Sequence, residues 1–251
     1  MNLRLIRNAT MRFTYAAHAL LVDPYLAPKH TLDSYVGKAR NPLVDLPCEP
    51  EEVIDGVELV IVSHLHGDHF DRIAQEMLPK DIPMFCQPGD EARILAKGFR
   101  SVTPIADALT WQGIHITRTR ARHGSGVWAE KMGHVSGFVF RAQGEPTVYW
   151  CGDTVWYEDV AQTILREQPA VIITHSSGAC FEANEPIVMD AAQTIEVCRA
   201  APNAVVVAVH LESLDHGIAL RGDLRALAER AGIAPERLLI PADGEILALK
   251  N

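Results

Sequence analysis

The sequence lacks an apolar run long enough to cross a membrane. A spanning helix needs about 20 consecutive apolar residues, and polar or charged residues interrupt every apolar stretch of this chain well before that length. The opening segment MNLRLIR also lacks the long apolar core of a secretory signal. We therefore expect no membrane partner.

Cysteine is scarce and scattered along the chain. The five cysteines form no CxxC pair, so the sequence predicts neither a disulfide framework nor a zinc–thiolate site. Thiols that stay reduced fit the cytoplasm, which is the location we expect.

Positive charge is in deficit, with 23 lysines and arginines against 32 aspartates and glutamates and a formal net charge of −9. This balance disfavours nucleic acid as a partner. Apolar residues, by contrast, make up 48% of the 251 residues, enough for a sizeable core in a single domain over residues 1–251. The sequence leaves the oligomeric state open, a homo-oligomer included.

The predicted elements begin with strands and continue as strand–helix alternation, which indicates two mixed sheets packed face to face with helices outside. The apolar run 57–62 predicts a strand buried on both faces. Asp243-Gly244 predicts a hairpin between 238–242 and 245–249. We interpret 25–50 and 124–133 as loops and 101–122 as a strand region.

The segment SHLHGDH (63–69) follows the 57–62 strand and is the strongest functional signal in the chain. His64 and His66 are two residues apart, so an extended backbone points both side chains to the same side. Gly67 then allows a tight turn into Asp68 and His69. Imidazole and carboxylate groups are ligands that zinc and similar divalent metals prefer, and a polar loop without such a role gains nothing from three histidines.

The motif His-x-His-x-Asp-His resembles that of the metallo-β-lactamase fold superfamily of metal-dependent hydrolases. Other segments agree in order and character: LLVDP (20–24), WCGDT (150–154), AVH (208–210) and IPADGE (240–245). Within the superfamily, the chain resembles the branch that includes L-ascorbate-6-phosphate lactonase. The resemblance implies an α/β fold, an αββα sandwich, along essentially the whole chain.

The resemblance also implies two sets of metal ligands. One metal would be held by His64, His66 and His123, and the other by Asp68, His69 and His210, with the carboxylate of Asp153 between them. His216 lies six residues beyond His210 and competes for the same role. We favour His210, because a strand end fixes a side chain more rigidly than a loop does. We expect His175, His216 and His134 to bind substrate.

These residues predict a hydrolase with two divalent metal ions, zinc first and manganese or iron as alternatives. A metal-bound hydroxide would attack a small ester-like molecule such as a lactone or a phosphorylated lactone. Asp68 would orient that hydroxide, and would be free to act as a base if only one metal were bound. A phosphodiesterase or nuclease at the same site is the first alternative. A non-hydrolytic iron-binding or redox module is the second, although the chain carries no flavin domain.

Overall fold

Two seven-stranded sheets face each other in the computed structural model, which describes residues 1–181 and 185–250. The strands are β1 (Asn2–Arg7), β2 (Thr10–Tyr15), β3 (His18–Val22), β4 (Leu59–Val62), β5 (Met84–Cys86), β6 (Val102–Pro104), β7 (Ala108–Trp111), β8 (Ile114–Arg120), β9 (Ser136–Arg141), β10 (Val148–Trp150), β11 (Val171–His175), β12 (Val205–Val209), β13 (Leu238–Leu239) and β14 (Ile246–Ala248). The first sheet has the order β14-β1-β2-β3-β4-β5-β6, and the second has the order β13-β12-β11-β10-β9-β8-β7.

Helices cover the outer faces of both sheets, except α4. The helices are α1 (Pro50–Ile54), α2 (Arg72–Met77), α3 (Glu91–Leu95), α4 (Val127–Met132), α5 (Glu158–Glu167), α6 (Ala191–Ala200) and α7 (Arg221–Arg230). Buried residues of α1, α2 and α3 pack on the first sheet, and those of α5, α6 and α7 pack on the second. The predicted αββα sandwich is therefore confirmed. None of the helices in the described residues is long and apolar enough to cross a membrane.

Apolar runs arise where a strand is covered on both faces. In β12, Val207 and Val209 point into the core between the sheets, whereas Val206 and Ala208 pack against the outer helices. β4 shows the same alternation within an unbroken run of apolar residues. Because apolar side chains cover both faces, these strands carry no polar residue until they end.

The hairpin predicted around Asp243-Gly244 is wrong. β13 pairs with β12 in the second sheet, whereas β14 pairs with β1 in the first. Gly244 does adopt a positive φ of 88° and makes a turn. The turn passes the chain from one sheet to the other, because β1 and β12 each offer an edge that the short strands complete.

Two other segments differ from the sequence interpretation. The strand region 101–122 contains three strands, of which β6 belongs to the first sheet and β7 and β8 to the second. This segment is therefore the crossover between the sheets. The predicted loop 124–133 contains the short helix α4, none of whose residues is buried. An exposed helix lacks the apolar periodicity by which helices are recognised in sequence.

The parallel strands end at one edge of the sandwich. β3 and β4 are parallel in the first sheet, and β10, β11 and β12 are parallel in the second. The polar segments 63–69, 151–154 and 210–216 follow three of these strands. The fold thus places polar loops from both sheets next to one another.

Candidate metal centre

The histidine-rich segment after β4 folds into a tight turn. The backbone N–H groups of His69 and Phe70 both donate to the carbonyl of His66, at 3.0 and 3.1 Å. From this turn, His64 and His66 enter one cluster of ligand atoms and His69 enters another. His64, Asp68 and His69 are buried, whereas His66 is half-buried.

The first histidine set is formed by His64, His66 and His123. Each offers a ring nitrogen, and the three nitrogens lie within 4.8 Å of one another. His64 Nε2 and His66 Nδ1 are 2.9 Å apart. His123 reaches the set from the second sheet, where it follows β8. Three nitrogens converging in this way suit a divalent ion.

A second set combines His69 and His210 with Asp68. Asp68 Oδ2 lies 3.4 Å from His69 Nε2 and 3.3 Å from His210 Nε2. His210 sits directly after β12 with a positive φ of 64°, so the strand end turns sharply and the ring points inward. This placement matches the ligand set that the resemblance implies.

Asp153 lies between the two sets. Its Oδ2 atom is 3.2 Å from His123 Nε2, 3.2 Å from His69 Nε2 and 3.8 Å from His64 Nε2. Gly152 before it has a φ of 65°, and a Cβ there would collide with the carbonyl oxygen of Ser136. A glycine is therefore required to bring this carboxylate to its position.

Buried hydrogen bonds fix the rings of the first-sheet histidines. His69 Nδ1 donates to Asp23 Oδ2 at 2.7 Å. Ser63 Oγ donates to the same oxygen at 2.7 Å and lies 2.9 Å from His64 Nδ1. These partners place the protons on Nδ1, so Nε2 of both rings is free to bind a metal.

The rings from the second sheet are held in the same manner. His123 Nδ1 donates to the carbonyl of Ile187 at 2.8 Å, and His210 Nδ1 lies 3.3 Å from Ser177 Oγ. Both Nε2 atoms therefore point toward the carboxylates. These hydrogen bonds hold the rings in an orientation that suits metal binding.

Charge is concentrated in this buried volume, and the pKa values respond to it. Burial raises the pKa of Asp153, but the rings of His69, His210 and His123 outweigh that effect and hold it well below its usual range. Burial lowers the pKa of His64 well below normal and that of His123 to about 4. Ionised Asp153 beside neutral His64 and His123 has the protonation states that divalent metals need.

Two ligand atoms are unsatisfied within the described part of the chain. His69 Nε2 and His210 Nε2 are buried, and neither makes a hydrogen bond. Buried polar atoms are rarely left in this way, because each costs roughly 1–3 kcal/mol. A cation between these nitrogens and the carboxylates would satisfy them, so the residues present fit a metal.

The three residues expected to bind substrate lie in different places. His216 is buried at the cavity beside the carboxylates, and its Nδ1 has no hydrogen-bond partner among the described residues. His175 is fully buried behind Asp153 and does not line that cavity. His134 is exposed, and its carbonyl accepts a hydrogen bond from Gln87. Neither His175 nor His134 is among the described residues that line the cavity.

Sequence reasoning did not assign roles to Asp23, Ser63 or Tyr35. Asp23 follows β3, the parallel neighbour of β4, so a polar residue at that strand end was an available signal. Tyr35 lies in the 25–50 loop, where nothing in the sequence marks it. Its hydroxyl is 3.4 Å from Asp68 Oδ1, and only the folded loop brings it there.

The cavity beside the candidate metal ligands has a volume of about 180 Å³. One side is formed by His66, Asp68, His123 and Asp153, and Tyr35 and His216 stand beside them. The rest of the lining is an apolar wall, formed by Met132, Phe181 and Ile187. A small molecule with one polar and one apolar end suits this shape.

An αββα sandwich with a histidine–aspartate site at one edge defines a metal-dependent hydrolase with the metallo-β-lactamase fold. The chain belongs to the beta-lactamase superfamily, whose domain model matches residues 18–211. It is 37% identical to the UPF0173 protein YddR of Bacillus subtilis, over 98% of each chain. It is also 28% identical to a UPF0173 metal-dependent hydrolase of Xanthobacter autotrophicus, over 66% of this chain and 67% of that one.

Two solved structures are similar over nearly the whole chain. An isothiocyanate hydrolase from Delia radicum gut bacteria is 34% identical, with a TM-score of 0.93 over 100% of this chain and 99% of that one. A possible metal-dependent hydrolase from Veillonella parvula is also 34% identical, with a TM-score of 0.95 over 99% of each chain. The predicted superfamily and enzyme class are thereby confirmed, and the lactonase-like branch stays a prediction.

Proposed function

We propose that the protein is a dinuclear zinc hydrolase that acts on small uncharged molecules with an electrophilic carbon, isothiocyanates first among them. One zinc ion would be held by His64, His66 and His123. The other would be held by Asp68, His69 and His210, and Asp153 would bind both. The observation that carries the substrate class is the cavity, whose lining combines candidate metal ligands with an apolar wall.

The cavity favours neutral substrates. Neither lysine nor arginine is among the described residues that line it, so a phosphate group would find no cationic side chain. This disfavours a phosphorylated lactone and, together with the net charge of −9, a nucleic acid. A neutral lactone stays as the second candidate, because its ring fits the same small volume.

Isothiocyanates suit the two sides of the cavity. The linear N=C=S group is small and uncharged, and its substituent is usually an apolar chain or ring that the apolar wall would accept. Addition of water to the central carbon gives a thiocarbamic acid, which breaks down to an amine and carbonyl sulfide. The 34% identity to an isothiocyanate hydrolase over the full length supports this choice.

When bound, the zinc ions would activate water and polarise the bond between the electrophilic carbon and its heteroatom. The chain's own residues supply the positioning. Asp68 turns one carboxylate oxygen toward His69 and His210 and the other toward the hydroxyl of Tyr35, so it can orient an attacking water. Asp68 and burial together raise the pKa of Tyr35 well above its usual range, so the phenol stays protonated. Its one O–H, which donates to Asp68 at a long 3.4 Å, can turn to the substrate instead.

His216 completes the polar side. Its ring stands edge-on to Tyr35, with centroids 4.8 Å apart. Burial lowers its pKa, so the ring is neutral and offers both a donor and an acceptor. The tyrosine and the histidine together would bind the heteroatoms of the substrate and leave its substituent against the apolar wall.

The test is a substrate panel with zinc-loaded protein. Allyl, benzyl and 2-phenylethyl isothiocyanate, γ-butyrolactone and bis(p-nitrophenyl) phosphate would be compared. Amine release from the isothiocyanates would be measured by fluorescamine, lactone opening by acid release with a pH indicator, and phosphodiester cleavage by the absorbance of p-nitrophenolate. We expect amine formation that disappears after chelation and returns with zinc. Amine release no greater than with chelated protein would overturn the isothiocyanate class, and lactone opening would then favour the second candidate.

A further inference from the structure

His175 lies among the candidate metal ligands, but neither of its ring nitrogens is free to bind a metal. Its ring lies at the end of β11, and its nitrogen is within 4.8 Å of ligand atoms of His69, Asp153 and His210. Those four side chains are all buried. Proximity alone would make His175 a fourth ligand of the second metal.

Both nitrogens of the ring are already in use. Trp150 Nε1 donates to His175 Nε2 at 3.0 Å, and His175 Nδ1 lies 2.5 Å from Asp153 Oδ1. An indole N–H is only a donor, so Nε2 must carry the lone pair and cannot be protonated. The ring proton is therefore on Nδ1 and is donated to Asp153. No lone pair is left for a metal.

We propose that His175 is a positioning residue, held by Trp150, which engages one oxygen of Asp153 so that the other oxygen alone serves both metal sets. Asp153 Oδ2 is within 3.2 Å of nitrogens from each set. Oδ1 is 3.8 Å from His210 Nε2 and is held on the side away from the first set by His175. The carboxylate cannot rotate to bind one ion with both oxygens unless it gives up this hydrogen bond.

The tryptophan is fixed by the core. Trp150 is fully buried and packs against Phe138, with ring centroids 5.6 Å apart. Trp150 and His175 lie on adjacent parallel strands, in which Trp150 pairs with Ile173. The pairing of β10 with β11 thus sets the tautomer of His175, because it places the indole N–H of Trp150 against His175 Nε2.

This inference rests on the metal centre of the proposed function and not on its substrate. Long-range ¹H–¹⁵N correlation spectra of ¹⁵N-histidine-labelled protein would show the tautomer directly. We expect His175 to be the neutral Nδ1–H form in metal-free protein and to keep that form with two equivalents of zinc. The five histidines of the two sets should shift. The half-buried His18 and the exposed His115, which belong to neither set, serve as unshifted controls.

Two variants separate positioning from packing. His175→Asn keeps an amide N–H near the position of Nδ1, whereas His175→Leu keeps the bulk without a donor. We expect His175→Leu to weaken binding of the second zinc about 10- to 100-fold in a chelator competition, and to change the visible spectrum of the cobalt-substituted protein. His175→Asn should restore most of both.

The contrary results are distinct. A zinc-dependent shift of the His175 nitrogens, or loss of one full zinc equivalent in both variants, would make His175 a ligand and overturn the proposal. An Nε2–H tautomer in metal-free protein would also overturn it. Near-normal zinc affinity in His175→Leu would show that His175 only fills space in the core, and this would also overturn the proposal. A failure to hydrolyse isothiocyanates would affect none of these readouts.

Discussion

The carboxylate of Asp23 accepts a hydrogen bond from His69 Nδ1 at 2.7 Å, across 46 positions of sequence. The same carboxylate binds the amide and the hydroxyl of Ser63, both at 2.7 Å, and through that hydroxyl it reaches His64. One buried acid therefore orients a ring in each histidine set. Its own role requires no contact with a metal.

Replacement of Asp23 should release metal from a protein that still folds. In Asp23→Asn, the amide can present N–H to His69 Nδ1, so the ring proton moves to Nε2 and blocks the ligand atom. We expect zinc affinity to fall about 10- to 100-fold, measured by chelator competition. Asp71→Asn is the matched control, because that buried carboxylate caps α2 and should lower the melting temperature without changing zinc affinity.

Replacement of His210 should remove a metal ion, whereas replacement of His216 should lower turnover. His210→Ala removes a ring whose Nε2 faces Asp68, and we expect the loss of one zinc equivalent by elemental analysis. His216→Ala should keep both equivalents and lose turnover, since the ring lines the cavity. Reversed results would exchange the two roles.

Replacement of Asp153 should lower turnover more than replacement of any other side chain in the site. Asp153→Asn keeps the shape but removes the charge between the two sets, so two nearby cations would repel each other with little compensation. We expect loss of the second zinc and at least a 100-fold fall in turnover. Arg120→Ala, on an exposed strand position, is the control and should stay near wild-type. Two zinc ions and normal turnover in Asp153→Asn would refute the shared-carboxylate site.

Tyr35 should matter for turnover and not for metal. Its hydroxyl faces Asp68, and its backbone N–H is held by Asp215 at 3.0 Å. Tyr35→Phe should keep two zinc ions and lower kcat about 10- to 100-fold, a little below the cost of deleting an oxyanion donor. Tyr157→Phe, on the far side of the second sheet at the start of α5, should leave kcat unchanged. Loss of zinc in Tyr35→Phe would instead indicate that the Tyr35 hydroxyl holds Asp68 in position for metal binding.

Acidification should remove the two metals in a fixed order. Burial lowers the pKa of His69, but the carboxylates of Asp153, Asp68 and Asp23 outweigh it and raise the value well above normal. A raised pKa means that protons compete with metal at higher pH, whereas His123, with a pKa of about 4, stays neutral until far more acid conditions. The ion beside His69 should therefore be lost first as pH falls.

Single-set variants would test that order. His210→Ala leaves the His64, His66 and His123 set, and His66→Ala disrupts it. Dialysis at decreasing pH followed by elemental analysis should show zinc leaving His66→Ala at a higher pH than it leaves His210→Ala. The opposite order would contradict the charge argument.

Local sequence was sufficient for the parts of the site that lie within one turn. His64, His66, Asp68 and His69 could be singled out because spacing in an extended strand end fixes their directions. The strand before them was predictable from its apolar run. His123, Asp153 and His210 were predicted from strand ends together with a family resemblance, and the structure brings the three side chains close together.

What could not be predicted depends on contacts between distant segments. Asp23 and Tyr35 acquire their roles only when β3 lies beside β4 and the early loop folds over Asp68. The hairpin at Gly244 failed for the same reason, since its turn chemistry is local but the pairing of β14 with β1 is not. The tautomer of His175 likewise depends on a tryptophan from the neighbouring strand.

Each proposed metal set takes two ligands from the first sheet and one from the second, so neither ion could be held by half of the sandwich. Zinc would then bind the assembled chain and not its separated halves, and mass action would favour the folded form. A free zinc concentration 1,000 times the dissociation constant would add about 4.1 kcal/mol to the free energy of unfolding. The zinc supply would thus govern how much folded protein persists, before any question of its turnover arises.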